Sequence, residues 1–424
     1  MSTTNTSEGK GGGASAETVG GVAGAAPGRA ARRGLTTEEL RRHNLSAVLD
    51  RVHLAGPISR SELARLTGLN RSTIRDLLVE LESLGLVVED MGTADGPGRP
   101  SAVARPRPSG AVALAVELEV DFTAVAAIGL GGHVFGRRRT ANPHGDDGPE
   151  RIVGLVAELA AELMGSLPPD HNLVGVGGAA AGLVRREDGH LSVSPNRGWR
   201  DAPLGELLAS ALGIGRVRVA NEADVGALAE LRRGAARSSR HVIYVSGEVG
   251  LGLGIITDGE PLMGVSGFAG EAGHTMINPG GRECRCGSVG CWETEVGEEA
   301  LARRAGVPSG EVRQDVIDEL LRRAHAGDPR TFEAFRETGR WLGYGVGNLV
   351  NTFNPDLIVF GGFYYPLFPF LSQPILESAA MVALASPWAS CRICPSELGL
   401  GARLIGAAEL VFADVIADPT TVRS

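Results

Sequence analysis

Lysine is nearly missing from this chain: of 41 basic residues, all but Lys10 are arginine. Any grip on phosphate therefore has to come from arginine's planar, multi-donor fork. Long apolar runs are missing too. No uninterrupted stretch reaches the roughly 18 residues of a membrane span, and the N-terminus lacks the apolar core of a signal peptide. The expectation is a soluble, cytoplasmic protein with no membrane contact. Cysteine is sparse at five residues, and three of these crowd between 284 and 291, too close for a disulfide framework. An excess of positive charge is also lacking, since 50 Asp+Glu outweigh the bases and give a net charge of −9. That excludes a wholly basic nucleic-acid coat protein, but not one small DNA-reading domain on an acidic body. The 424 residues suggest two or three domains.

Along the chain, residues 1–33 are Gly, Ala, Ser and Thr with little to bury, the composition of a disordered tail. Residues 29–108 then hold thirteen arginines against ten acids, a net charge of +3, whereas residues 109–424 carry −11. A mildly basic module, 34–100, thus precedes a strongly acidic body, 111–424. The joint falls in Gly96-Pro97-Gly98-Arg99-Pro100 through Arg105-Pro106-Arg107-Pro108, with 101–110 expected as an irregular linker.

Three helices fit into the first module. Thr36 and Glu39 form a capping-box pair ahead of Leu45, Val48, Leu49 and Val52 at helical spacing, and Gly56-Pro57 ends that run. Ser59 and Glu62 form a second box, Thr67-Gly68-Leu69-Asn70 reads as a tight turn, and Asn70 caps a third helix. Ile74, Leu77, Leu78, Leu81 and Leu84 give that helix an apolar stripe, and residues 85–89 read as a strand. Two helices joined by a short Gly turn, with a strand after them, make a winged helix-turn-helix. Arg71, Ser72, Thr73 and Arg75 then stand at the start of a recognition helix, where side chains reach base edges or phosphates. Arg60 suits a backbone contact and Arg99 a minor groove. Asp76 and Glu80 on the same helix would repel phosphate, which favours few contacts and a dimer on double-stranded operator DNA. A protein-interaction module with solvated arginines is the competing reading.

The acidic body alternates strands and helices, the pattern of an α/β domain. Strands are expected at 111–120, 124–128, from 134, from 174, at 217–220 and at 241–245, with a helix at 149–165 and another after Asn221-Glu222. Its most specific chemical signal is His274 with Cys284-x-Cys286-x-x-x-x-Cys291. Three thiolates and one imidazole complete a tetrahedral zinc shell, and a closed shell makes the zinc structural. Cys391-x-x-Cys394 is a weak signal, better read as inert thiols.

Taken together, Leu251-Gly252-Leu253-Gly254, Asp258-Gly259, Gly270-Glu271-Ala272-Gly273-His274 and Cys284-x-Cys286-Gly287-x-x-Gly290-Cys291-x-Glu293 resemble the ROK family of sugar kinases and sugar-responsive repressors. The resemblance spans about 40–410 and includes the helix-turn-helix of the repressor branch. It implies an actin-like domain of two lobes, with a boundary near 235, a sugar in the cleft, zinc ordering part of that site, and a homodimer or homotetramer. The family's sugar contacts fall on Asn221, Glu222, Glu271, His274 and Glu293. Gly182 and Asn196 also correspond, although a turn role competes for these two.

The resemblance also separates kinase from regulator. Family kinases place Asp where Glu222 stands, and a displacement of about an ångström costs on the order of a hundredfold in rate. Their first phosphate motif, Asp-x-Gly-x-Thr, falls on Glu117-Leu118-Glu119-Val120-Asp121, and their Gly-Thr-Gly on Gly247-Glu248-Val249. Acids at 119 and 248 stand where a polyanion would dock. The expectation is a repressor whose operator affinity is set by a sugar, with no catalytic residues. An ATP-dependent sugar kinase carrying a DNA-binding module is the alternative, and a ligand-independent DNA-bound scaffold a third reading.

Overall fold

In the computed structural model, residues 36–91, 102–142, 148–308 and 313–423 are described. The tail 1–33 and Arg99 lie outside them. The local caps form as their side chains dictate. Thr36 Oγ1 accepts from the Glu39 N–H at 3.2 Å, and Glu39 accepts from the Thr36 N–H at 2.7 Å, opening the helix Thr37–Ala55. Ser59 caps Arg60–Thr67 through the Glu62 N–H at 3.2 Å. Gly68 closes that helix in the left-handed region, and Asn70 caps Arg71–Ser83 through the Thr73 N–H at 2.9 Å. Leu45, Val48, Leu49, Val52, Leu63, Ile74, Leu78 and Leu81 fill the space between the three helices.

The wing differs from the sequence expectation. Residues 102–106 form a strand, the central one of a three-stranded sheet, antiparallel to both Val87–Met91 and Ile58–Ser59. Pro106 stands at its end, where it pairs with Val87. The stretch expected as linker is therefore in part the wing itself.

The rest holds two five-stranded sheets and a small three-stranded antiparallel sheet of Leu183–Arg185, His190–Ser194 and Trp199–Ala202. The first runs in the order Val217–Asn221, Leu173–Ala180, Val112–Leu118, Phe122–Gly129, His133–Ala141. The second runs Arg392–Pro395, Leu357–Gly362, Val242–Gly247, Leu251–Thr257, Glu260–Pro261. In each, an antiparallel meander of three strands is extended on its first strand by two parallel ones. This repeated topology is the two-lobed, actin-like architecture, and buried parallel strands explain the continuous apolar runs.

Alternation along Val112–Leu118 divides the first sheet between two cores. Val112, Leu114, Val116 and Leu118 face the helix Pro149–Met164. Ala113 and Ala115 face the C-terminal helix Ala402–Ala417, and this second core runs without a break into the winged helix-turn-helix. The DNA-binding module is thus packed onto the first lobe. Among the described residues, no helix is long and apolar enough to cross a membrane.

Candidate functional site

The strand Val217–Asn221 delivers Asn221 to the N-terminus of the helix Glu222–Arg233. Asn221 Oδ1 caps that helix through the Ala223 N–H at 2.8 Å, and its Nδ2 donates to the Gly182 carbonyl at 3.0 Å. Gly182 itself sits at φ 126°, and a Cβ there would lie 2.4 Å from the Val193 carbonyl oxygen, so the backbone needs glycine whatever else the residue does. Across the cleft a short 3-10 turn carries Glu271 and His274, and the helix Trp292–Val296 carries Glu293. Asn196 lies between the strands His190–Ser194 and Trp199–Ala202, where its Oδ1 accepts from Arg285 at 3.0 Å. All seven residues named from the sequence line one cleft of about 540 Å³. Ser194 Oγ and Glu222 Oε2 are buried on its wall with no partner among the described residues. Carboxylates and amides that both accept and donate are what a ring of hydroxyls requires.

Two groups in this region escaped the sequence reading. Asp224, in the first turn of the same helix, also lines the cleft, and burial pushes its carboxyl up to about 7. Arg197 stacks 4.5 Å over Trp199 with Nε and Nη2 buried and unpartnered among the described residues, and burial pulls it down to about 10. Neither has a recognisable spacing, so only packing reveals them.

Burial, reinforced by Glu119 and opposed by Arg403, pushes Glu222 up to about 8. A carboxyl whose pKa rises on folding takes up a proton across the window from its ordinary 4.5 to about 8. Stability therefore falls as pH rises through that window, and the penalty is complete above it. Glu222→Gln is expected to lose less melting temperature than wild type between pH 6 and pH 9, and to melt higher at pH 9. Parallel melting curves for the two proteins would contradict this.

His274 and the three cysteines come together. One donor atom from each lies within 4.8 Å of all the others. Cys286 and Cys291 Sγ are 3.7 Å apart, and Cys284 Sγ is 3.6 Å from His274 Nδ1. A tetrahedron with metal–sulfur bonds of about 2.3 Å has sulfur–sulfur edges of about 3.7 Å, so the set can hold a metal ion. Nδ1 faces the thiols, which leaves Nε2 on the side of Glu271, 3.9 Å from its carboxylate. Cys391 and Cys394 lie elsewhere, half-buried, with burial pushing both thiols up to about 11.

The acids expected to repel a phosphate are themselves engaged. Arg403, at the start of the C-terminal helix, is buried among Glu117 at 2.6 Å, Glu119 at 3.4 Å and Glu248. Only a long-range contact reveals this, because Arg403 is 286 residues from Glu117.

Of the residues expected to meet DNA from the third helix, Arg71, Ser72 and Arg75 are exposed and Thr73 half-buried. Arg75 bonds Asp76 at 3.0 Å, and Ser72 donates to Asn70 at 2.6 Å. Arg60, expected to contact the DNA backbone, is a third exposed, and its Nε donates to Glu89 on the wing at 2.7 Å, tying the helix start to the sheet.

Comparison with known proteins gives matches over both parts. Residues 113–414 match the ROK family, and residues 47–91 match the IclR helix-turn-helix domain. The Xylose repressor of Bacillus spizizenii is 30% identical over 380 residues, which cover 88% of this chain and 96% of its own. The crystal structure of a ROK family transcriptional regulator, a homolog of the E. coli MLC protein, superposes with a TM-score of 0.75 at 26% identity, covering 91% of this chain and all of its own. A ROK family glucokinase from Streptomyces griseus, solved in complex with glucose and AMPPNP, gives a TM-score of 0.62 at 29% identity, covering 70% of this chain and 98% of its own.

Proposed function

This chain belongs to the ROK family, and from that premise we propose that it is a DNA-binding transcriptional repressor whose operator affinity is set by a sugar. The observation that carries the reading is the lining of one cleft. Asn221 and Glu222 face Glu271, His274 and Glu293 across it, while Glu119 and Glu248, on the same cleft, are locked with Glu117 onto Arg403 at the positions that align with the family kinases' phosphate motifs.

The residues act as follows. Asn221, Glu222, Glu271 and Glu293 exchange hydrogen bonds with sugar hydroxyls, with Asn196 and the Gly182 turn shaping the rim. His274, Cys284, Cys286 and Cys291 hold a structural zinc ion, which orders the loop and fixes the His274 ring so that Nε2 can serve a hydroxyl. Arg71, Ser72, Thr73 and Arg75 meet the operator, and the protein works in the cytoplasm as a dimer or tetramer. Sugar binding alters operator affinity only through unequal affinity for two shapes of the protein. Catalysis is absent on this reading, since the phosphate positions carry acid.

The test uses the full chain and a duplex that it selects from a random pool. D-xylose or D-glucose is expected to change the operator Kd at least fivefold. Incubation of the same sugars with ATP is expected to release no ADP above background. Turnover in the ordinary kinase range of about 1–100 s⁻¹ would establish the kinase alternative. An operator Kd indifferent to a broad sugar panel would remove the sensing half.

A further inference from the structure

The helix Glu222–Arg233 joins three places that repressor function must connect. Its first turn supplies Glu222 and Asp224 to the cleft wall. Near its end, the buried carboxylate of Glu230 accepts from Ser396 Oγ and from the N–H groups of Leu398 at 3.2 Å and Glu397 at 3.3 Å. Those residues form the crossing from the last strand of the second lobe to the C-terminal helix. The final two residues, Arg232 and Arg233, reach the DNA-binding module. Twelve helical residues span about 18 Å, so one rigid rod covers the distance.

The far end is a buried polar node. Arg233 Nε donates to Glu409 at 2.5 Å, and its Nη1 donates to the Gly131 carbonyl at 3.1 Å and the His53 carbonyl at 3.4 Å. Arg232 Nη2 donates to Asp50 at 2.6 Å. Asp50 and His53 lie in the last turns of the helix Thr37–Ala55, the first helix of the DNA-binding module. His53 is fully buried, and its Nδ1 accepts from the Gly131 N–H at 3.0 Å. Its Nε2 lies 3.1 Å from both carboxylate oxygens of Glu409 and 2.5 Å from Arg233 Nη2. Burial holds the His53 pKa below its ordinary value despite Glu409.

The rod is also clamped along its length. At Gly406 of the C-terminal helix, a Cβ would come within 2.0 Å of the Val225 carbonyl oxygen, so the two helices meet backbone to backbone. A shift at the cleft end cannot be absorbed by soft side chains at that crossing, because close-packed contacts transmit displacement.

We propose that the helix Glu222–Arg233 carries the state of the sugar cleft to the DNA-binding module, with Arg233 as the residue that positions the module. The inference rests on the sensing reading above. Polar nodes with every member paired have discrete arrangements, which suits a switch better than apolar contact alone.

Arg233→Gln in the full chain tests it, with operator affinity measured with and without D-xylose and D-glucose, and sugar affinity measured by calorimetry. The variant is expected to bind sugar within about twofold of wild type while its sugar-induced change in operator Kd collapses toward one. Linkage makes the same statement from the other side: operator DNA should no longer alter sugar affinity. Arg233→Lys, which keeps the charge, should restore part of the response. A folded Arg233→Gln protein with the full wild-type response overturns the proposal. Should that variant not fold, Arg232→Gln, a quarter exposed in wild type, takes its place with the same two outcomes. If neither sugar moves operator affinity in the wild-type arm, the sensing reading fails and the inference falls with it.

Discussion

Arg403→Met is expected to destabilise the protein by about 3–5 kcal/mol, because removing one partner of a buried ion cluster leaves the others charged and desolvated. Here the others are three carboxylates. Glu117 and Glu119 are 1% and 2% exposed, Glu248 is 8% exposed, and each approaches the Arg403 guanidinium. Arg137 lies 3.6 Å from Glu117 and can offset part of the loss, but its side chain is 41% exposed. Burial alone would lower the Arg403 pKa. Glu119, Glu117 and their neighbours raise it well above the ordinary arginine value instead, so the cation is fixed in place. In the variant the acids relieve their remaining repulsion by taking up protons. The deficit against wild type should therefore narrow as pH falls toward 5, and Glu119→Gln added to Arg403→Met should recover part of it. Denaturant melts of the three proteins at pH 7 and pH 5 provide the measurement. A deficit below 1 kcal/mol at pH 7 would mean that the cluster is solvated and that the phosphate positions are not closed by it. No member of the series is expected to gain ADP release.

Locality decides which of these features can be read from sequence. The caps at Thr36, Ser59 and Asn70 bond three residues ahead, so their partners are visible in the same few letters. The metal-competent cluster is legible for a related reason: three of its donors occupy eight consecutive positions and the fourth lies ten residues before them. Strand Ala102–Pro106 was hidden because its order comes from partners at 58–59 and 87–91, while its own letters include proline. Arg403, Glu409 and His53 carry no local signature, and His53 is 356 residues from Glu409. The fold thus follows from periodicity and caps, and the cleft from local motifs. The long-range charge clusters around Arg403 and around Glu409 depend on tertiary packing alone.

Stripping the metal is expected to cost more function than any single substitution in the cleft. Chelation, or Cys291→Ser, should weaken sugar binding at least a hundredfold while the winged helix-turn-helix keeps its fold. Apart from a metal, the loop between His274 and Cys291 is held by two isolated bridges, Met276 with Cys291 and Glu283 with Val289, and by turn hydrogen bonds such as Cys284 N–H to the Ser288 carbonyl and Gly290 N–H to the Arg282 carbonyl, both at 2.8 Å. Cys286 is exposed, so the loop's own apolar burial is small. Structural zinc sites of this donor type bind with about 10–16 kcal/mol in small peptides near neutral pH, and that binding energy is folding energy. Three of the groups proposed to face the sugar hang on the segment. His274 belongs to the metal-competent cluster and Glu293 follows Cys291 by two residues, while Glu271 lies one helical turn before His274. Leu45, Leu49, Leu63, Ile74 and Leu78 of the winged helix-turn-helix belong to a core, shared with the first lobe, that includes no residue of the 274–291 loop, so these helices should survive the loss. Elemental analysis of the native protein is expected to give one zinc per chain. Cobalt substitution should give the intense visible bands of a tetrahedral thiolate site. Calorimetry before and after chelation then compares sugar affinity, and operator binding without sugar serves as the control that should barely change. Undiminished sugar affinity in metal-free protein would show that the loop orders itself and that His274 is held by Glu271 and Glu293 instead.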